Sequence, residues 1–341
     1  MSVQPTSTEA ADAVAVAQDH QLARIALAAV ATKAALDAWA SIDPLDLFTW
    51  WWRRGLGMRI YVLLSMAQEA AAADASAFVK EIYDVLGHSI RTPSVVPSAF
   101  AGVASDGRDL ESLLAGAPIV ALQRARRGAA PTVVRQAGAD YLTAVVRTQV
   151  GDAGRAADQV AIATAEPTQD TAKKVVYGWV RMLNPPSCER CIVLAGRFYR
   201  WNAGFQRHPM CDCVHIPAVE SVADDLTTNP YEYFKSLTAA QQNEQFGKAN
   251  AQAIRDGADL NRVLNAATRF NPRTGKTALL IDPNTARYNK AGVRVFAGRR
   301  TTSELAPRPG VRPTPWQIYQ DAAGSRDEAR RLLLRYGYIL R

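Results

Sequence analysis

All four cysteines of this chain fall within one stretch of 26 residues, "CERCIVLAGRFYRWNAGFQRHPMCDC", from Cys188 to Cys213. The pattern is Cys-x2-Cys, sixteen residues, then His-Pro-x-Cys-x-Cys. A Cys-x2-Cys turn brings two thiolates within reach of one ion, and a second pair presented by a tight turn completes a tetrahedron around Zn²⁺. Five donors compete for four places: Cys188, Cys191, His208, Cys211 and Cys213. In a fully extended Cys211-Asp212-Cys213 both sulfurs lie on one side. Four-cysteine ligation with His208 outside the set is therefore open, and so is a set in which His208 replaces one cysteine. His215 is a further and weaker candidate. Pro209 would help to fix the turn that presents His208.

The expected role of the ion is structural. Residues 166–220 are rich in Gly, Pro and aromatic side chains and read as a loop-rich insert that lacks a core of its own. Metal binding supplies folding free energy to such a segment. The rival readings of the cysteines are weaker. The N-terminal apolar run from Ile25 to Thr32 ends at Lys33, too short for a secretory signal or a bilayer span, which disfavours disulfides and points to a cytosolic product when made. No strand–helix–strand pattern suggests a thioredoxin-like centre. For catalytic zinc, the acidic neighbours are only Glu189 and Asp212, with no His-Glu-x2-His helix.

The elements that must position this stretch are mainly α-helical. Residues 1–165 read as a helical N-terminal domain. Helices are expected from Glu9 to Ala40, along "MRIYVLLSMAQEAAAADASAFVKEIYDVLG" up to Gly87, from Leu110 to Arg127, and from Pro131 to Ala165. In "SIDPLDLF", Asp43 reads as an N-cap with Pro44 at the first helical position. Residues 166–267 form the cysteine-bearing module. It opens on the helix-compatible "DTAKKVVYGWVRML" and continues as short helices capped at Ser236 or Thr238 and at Asp259, with an interruption at Gly247. Residues 268–313 read as a basic extended arm. Residues 314–341 read as a helical hairpin with a capped start at Thr314-Pro315 and a break at Gly324.

Charge is divided along the chain. Residues 268–341 hold 15 Lys/Arg against 5 Asp/Glu, a net +10, whereas the whole chain is +8. All net positive charge therefore sits in the last 74 residues. A polyanion or an acidic protein surface is one reading and a solvated basic tail the other. Arg287, Lys290, Arg294, Arg299 and Arg300, with Tyr288 and Phe296 among them, suit salt-sensitive contact with a DNA backbone. "FTWWWRR" sweeps Trp50, Trp51 and Trp52 around a wide arc, so one of the three should leave the core face. The cluster is either buried core or an aromatic anchor rimmed by Arg53 and Arg54. "NPRTGK" has Phe270 where a phosphate loop requires its first glycine, which excludes that motif. His20 and His88 read as polar residues of the helices, and the adjacent His88-Ser89 does not make a catalytic dyad.

Together, "CERCIVLAGRFYR", "RHPMCDC" and "YFKSLTAAQQNEQFGKANAQAIRDGADL" resemble the MuF-like minor head proteins of tailed bacteriophages, in the version found among actinobacterial phages. The resemblance covers about residues 177–267 and the last 28 residues. Cys188, Cys191, His208, Cys211 and Cys213 match that family's metal motif. Gly196 matches the glycine after the first cysteine pair, and Phe246-Gly247 and Asp256-Gly257 match structural signatures. The resemblance implies a minor capsid component inside the head, in the host cytoplasm during assembly, with portal protein and scaffold or major capsid protein as partners. It also implies packaged DNA near the basic arm, and no membrane. Proteins of this group are sometimes described as capsid maturation proteases, which makes that activity the enzymatic rival. A nucleic-acid-binding zinc module is the third reading.

Overall fold

The computed structural model describes residues 7–168, 175–184, 187–205, 207, 211, 213–264, 268–271, 276–279 and 313–339. As the sequence leads one to expect, the chain is mainly helical. The helices are α1 (Thr8–Ala40), α2 (Leu56–Ala72), α3 (Ala75–Val85), α4 (Leu110–Leu114), α5 (Gly116–Arg126), α6 (Pro131–Ala163), α7 (Glu189–Leu194), α8 (Pro230–Ser236), α9 (Ala239–Phe246), α10 (Lys248–Arg255), α11 (Leu260–Leu264), α12 (Pro315–Asp321) and α13 (Arg326–Arg335). The strands are β1 (Tyr177–Met182), β2 (Phe198–Arg200), β3 (Val214–Val219), β4 (Thr268–Asn271) and β5 (Lys276–Leu279). Two compact units result, Ser2–Ser187 with Ala195–Thr228, and Cys188–Leu194 with Asn229–Arg341.

In the first unit, α1 starts where the Ser7 hydroxyl accepts the Ala10 N–H, at 3.1 Å. Its buried stripe runs through Ala13, Ala17, His20, Arg24, Ala28, Ala31 and Ala35. Spacings of three and four keep these residues on one face, and their mostly small side chains let neighbouring helices approach closely. Helix α6, begun by Pro131, packs on α1, α2, α3 and α5. At the centre, Trp39 lies against Gly138, where any Cβ would overlap the indole ring. The Trp39 Nε1–H donates to the Arg135 carbonyl at 2.9 Å. Ile42, Ile60, Leu64, Leu110, Leu114, Leu142 and Val146 complete this core.

The three tryptophans occupy a π-helical turn, Thr49–Arg53. Trp51 is buried with its ring edge-on to Trp39 at 6.0 Å, Trp50 is half-buried, and Trp52 is exposed and stacked on Phe48 at 5.0 Å. The expected N-cap at Asp43 is a turn instead. The Asp43 side chain accepts the Leu45 N–H at 2.9 Å, which closes a local ring rather than opening a helix.

Within "DTAKKVVYGWVRML", expected to be helix-compatible, Tyr177–Met182 form β1 instead. β1 is the centre of an antiparallel sheet ordered β2-β1-β3, with Trp179 opposite Tyr199 on one side and Pro217 on the other. Its Tyr, Trp and Val side chains fit a pleated surface better than a helix. Pro217 is tolerated because β3 lies at the sheet edge. All of β3 is buried, and the Tyr83 hydroxyl of α3 donates to Gly178 O at 3.0 Å, with Ala218 O at 3.4 Å. Burial raises the Tyr83 pKa, so this tie keeps its proton.

The second unit bears out its expected caps. Thr238 and Gln241 form a capping box on α9, and Asp259 accepts the Arg262 N–H at 2.9 Å. Gly247 joins α9 to α10 at φ 79, a left-handed value that suits glycine. Asp256 is the keystone: it accepts from Tyr319 Oη at 2.7 Å and Arg326 Nε at 2.8 Å, tying α10 to α12 and α13. Thr314 caps α12 and Gly324 ends it, as expected. Within the expected extended arm, β4 and β5 pair antiparallel, and Arg287, Lys290, Arg294, Arg299 and Arg300 lie outside the described residues.

Candidate metal centre

Three of the expected donors come together. The sulfurs of Cys191, Cys211 and Cys213 lie within 4.8 Å of one another, and all three residues are buried. Tetrahedral coordination by thiolates at about 2.3 Å sets sulfurs roughly 3.8 Å apart. The cluster is therefore close to the size one zinc ion requires, and three soft donors favour zinc over hard cations.

Local structure explains each position. Cys191 lies in the first turns of α7, and its N–H donates to Cys188 Sγ at 3.4 Å. That bond turns the Cys-x2-Cys segment tightly, although the Cys188 sulfur is outside the three-sulfur set. Cys213 immediately precedes β3, and Cys211 lies two positions before Cys213. His208 lies outside the described residues. The four cysteines form no disulfide.

Cations that the sequence did not single out surround the second pair. Arg181 of β1 is buried, its Nη1 is 4.0 Å from Cys211 Sγ, and its guanidinium lies 3.8 Å from the centre of the Phe205 ring. A divalent ion held by three thiolates carries a net negative charge, and Arg181 is placed to offset it. Arg155 of α6 donates to the Cys213 carbonyl at 3.3 Å and pairs with Asp152 at 2.5 Å. Arg207 reaches the same Asp152 oxygen at 2.5 Å. His215 is fully buried beside the Trp179 and Phe205 rings, and neither ring nitrogen has a hydrogen-bond partner. Burial pushes its pKa down to about 3, so it stays neutral. It does not join the sulfur cluster.

A second buried polar cluster was not legible as a site. In the helical bundle, Arg24 pairs with Asp158 at 2.5 Å and with Asp74 at 3.1 Å. His20 Nδ1 lies 2.9 Å from Asp74, its Nε2 3.7 Å from Asp158, and its ring stacks on Phe78 at 3.6 Å. Burial works to lower the His20 pKa, but the Asp158 and Asp74 carboxylates outweigh it and the value rises. Burial works to raise Asp158, and the Arg24 charge and then His20 outweigh it, so Asp158 stays ionised. With His20 protonated the four groups are electrically balanced. The usable signal was the period: His20 and Arg24 occupy the apolar stripe of α1.

No family model, curated protein or solved structure matches this chain. The site therefore stands on its own geometry. Among the described residues no hydrogen bond joins the side chains of His88 and Ser89. No described helix is long and apolar enough to cross a membrane.

Proposed function

We propose that the chain is a non-enzymatic structural protein whose Cys188–Cys213 segment is ordered by one zinc ion, and that it serves as a MuF-like minor capsid component of a phage head. The observation that carries this reading is the convergence of Cys191, Cys211 and Cys213. Cys188 or His208 supplies the fourth ligand. When bound, zinc contributes a cross-link between segments distant in sequence. The chain's own residues shape the place for it: Cys188 Sγ receives the Cys191 N–H, Arg181 balances thiolate charge, and Arg155 holds the Cys213 carbonyl. The capsid role rests on the motif resemblance, and the basic 268–341 region suits contact with packaged DNA or an acidic capsid partner.

The test has two parts. Metal analysis of purified protein should find about one zinc per chain, with a thermal transition that moves down on chelation. In a phage carrying Cys213→Ser, heads should lack the protein while head-protein processing stays normal. Zinc-free protein with unchanged folding would remove the metal centre. Processing lost on His88→Ala with Ser89→Ala would replace the structural role by a maturation protease.

A further inference from the structure

Helix α2 presents an apolar ridge to solvent. Met58, Val62 and Met66 recur at every fourth position and are 52%, 47% and 65% exposed, while Leu56, Ile60, Leu64 and Ala67 on the opposite side enter the core. Large apolar side chains aligned on one surface mark a contact site more often than scattered ones do. An i, i+4 ridge is also the feature by which two helices most often interdigitate, crossing at about −50°.

The charges around the ridge indicate what covers it. Arg59 stands at its N-terminal end and Glu69 beyond its C-terminal end, about 15 Å apart at the helical rise. Both are exposed, and among the described residues neither forms an ion pair. Arg59 and Glu69, Val62 and Met66, and Met58 and exposed Ala70 are each symmetric about position 64. A surface of this kind is complementary to itself when turned through a half rotation. Each Arg59 then meets a Glu69, and each Met58 gains the space over an alanine. Contact of residue i with j and j with i is the signature of a two-fold interface.

We propose that the occupant is a second copy of this chain, with two α2 helices packed in opposite directions about a two-fold axis that passes outside the ridge, level with the midpoint between Val62 and Met66. The charges fix direction, because parallel pairing would set Arg59 against Arg59 and Glu69 against Glu69.

Sedimentation of the full-length protein over a range of concentrations tests this, with helical content checked by circular dichroism. The wild type should be in monomer–dimer equilibrium. Val62→Glu should raise the dissociation constant more than about tenfold, and Arg59→Glu about tenfold. Arg59→Glu combined with Glu69→Arg should recover most of the loss. A wild type that is monomeric throughout would overturn the proposal. A dimer indifferent to Val62→Glu, or one that Arg59→Glu weakens without recovery in the double variant, would overturn it too.

Discussion

The chain contains two buried clusters of polar side chains that are held together in opposite ways. In the bundle, His20 and Arg24 of α1, Asp158 of α6 and Asp74 at the start of α3 sit on elements that close apolar packing already places, and the charges satisfy one another. In the 188–213 segment, short elements surround three thiols that lie close enough to hold one ion. The first cluster takes its order from the fold, whereas the second, with the proposed ion, would lend order to the fold. Buried charge in a well-packed bundle is costly unless complete, and it contributes specificity more than stability. Thiolates around a metal contribute stability directly.

Loss of one thiol should have the greatest consequence. Cys213→Ser should reduce zinc from about one per chain to near zero and remove the chelator-sensitive transition, putting at stake metal-binding free energy on the order of 10 kcal/mol. The readout is metal content with calorimetry. On the other side, Asp158→Ala leaves Arg24 buried with only the half-exposed Asp74. It should cost about 3–5 kcal/mol in denaturant unfolding, with zinc content unchanged.

A smaller effect distinguishes the clusters by pH. His20 has a raised pKa in the fold, so its contribution is complete below the unfolded value of about 6.5 and fades as pH rises through the folded value. Asp158 and Asp74 have depressed values, so their contribution is complete above about 3.9 and fades as pH falls through the folded values. His215, kept neutral, has the opposite slope to His20 below about 6.5. The denaturation midpoint of His20→Gln should therefore converge on that of wild type as pH rises from neutral toward 9. A gap that stays constant across that range would show that the His20 charge contributes nothing. The smallest effect marks the baseline. Lys33 and Asp37 form an exposed pair at 2.6 Å, and Lys33→Ala should change stability by less than about 0.5 kcal/mol.

The two clusters were also unequally visible in the sequence. Four cysteines crowded into one short segment announce themselves, because the ligands of a Cys-x2-Cys site are close along the chain. The bundle charges come from positions 20, 24, 74 and 158, and nothing local connects them. Helix boundaries from Glu9 to Ala40 and Pro131 to Ala165 were legible from alanine-rich composition and caps. β1 was not, because Ala172, Lys173 and Lys174 preceding it favour helix while its partners lie downstream. Arg181 and Arg155 escaped notice for the same reason: their meaning depends on strand register and on a carbonyl 58 positions away.

The equal length of α1 and α6 has a mechanical consequence. Each has 33 residues, a rod of about 50 Å at the helical rise. The buried face of α1 is lined largely by alanine, with few rotamers to rearrange under load. The pair is built as a strut, stiff along its length and thin in section, that transmits a push at one end to the other without yielding in between. Dyes attached near Thr8 and Ala40 would report one narrow separation that does not change as the cysteine segment gains or loses its metal.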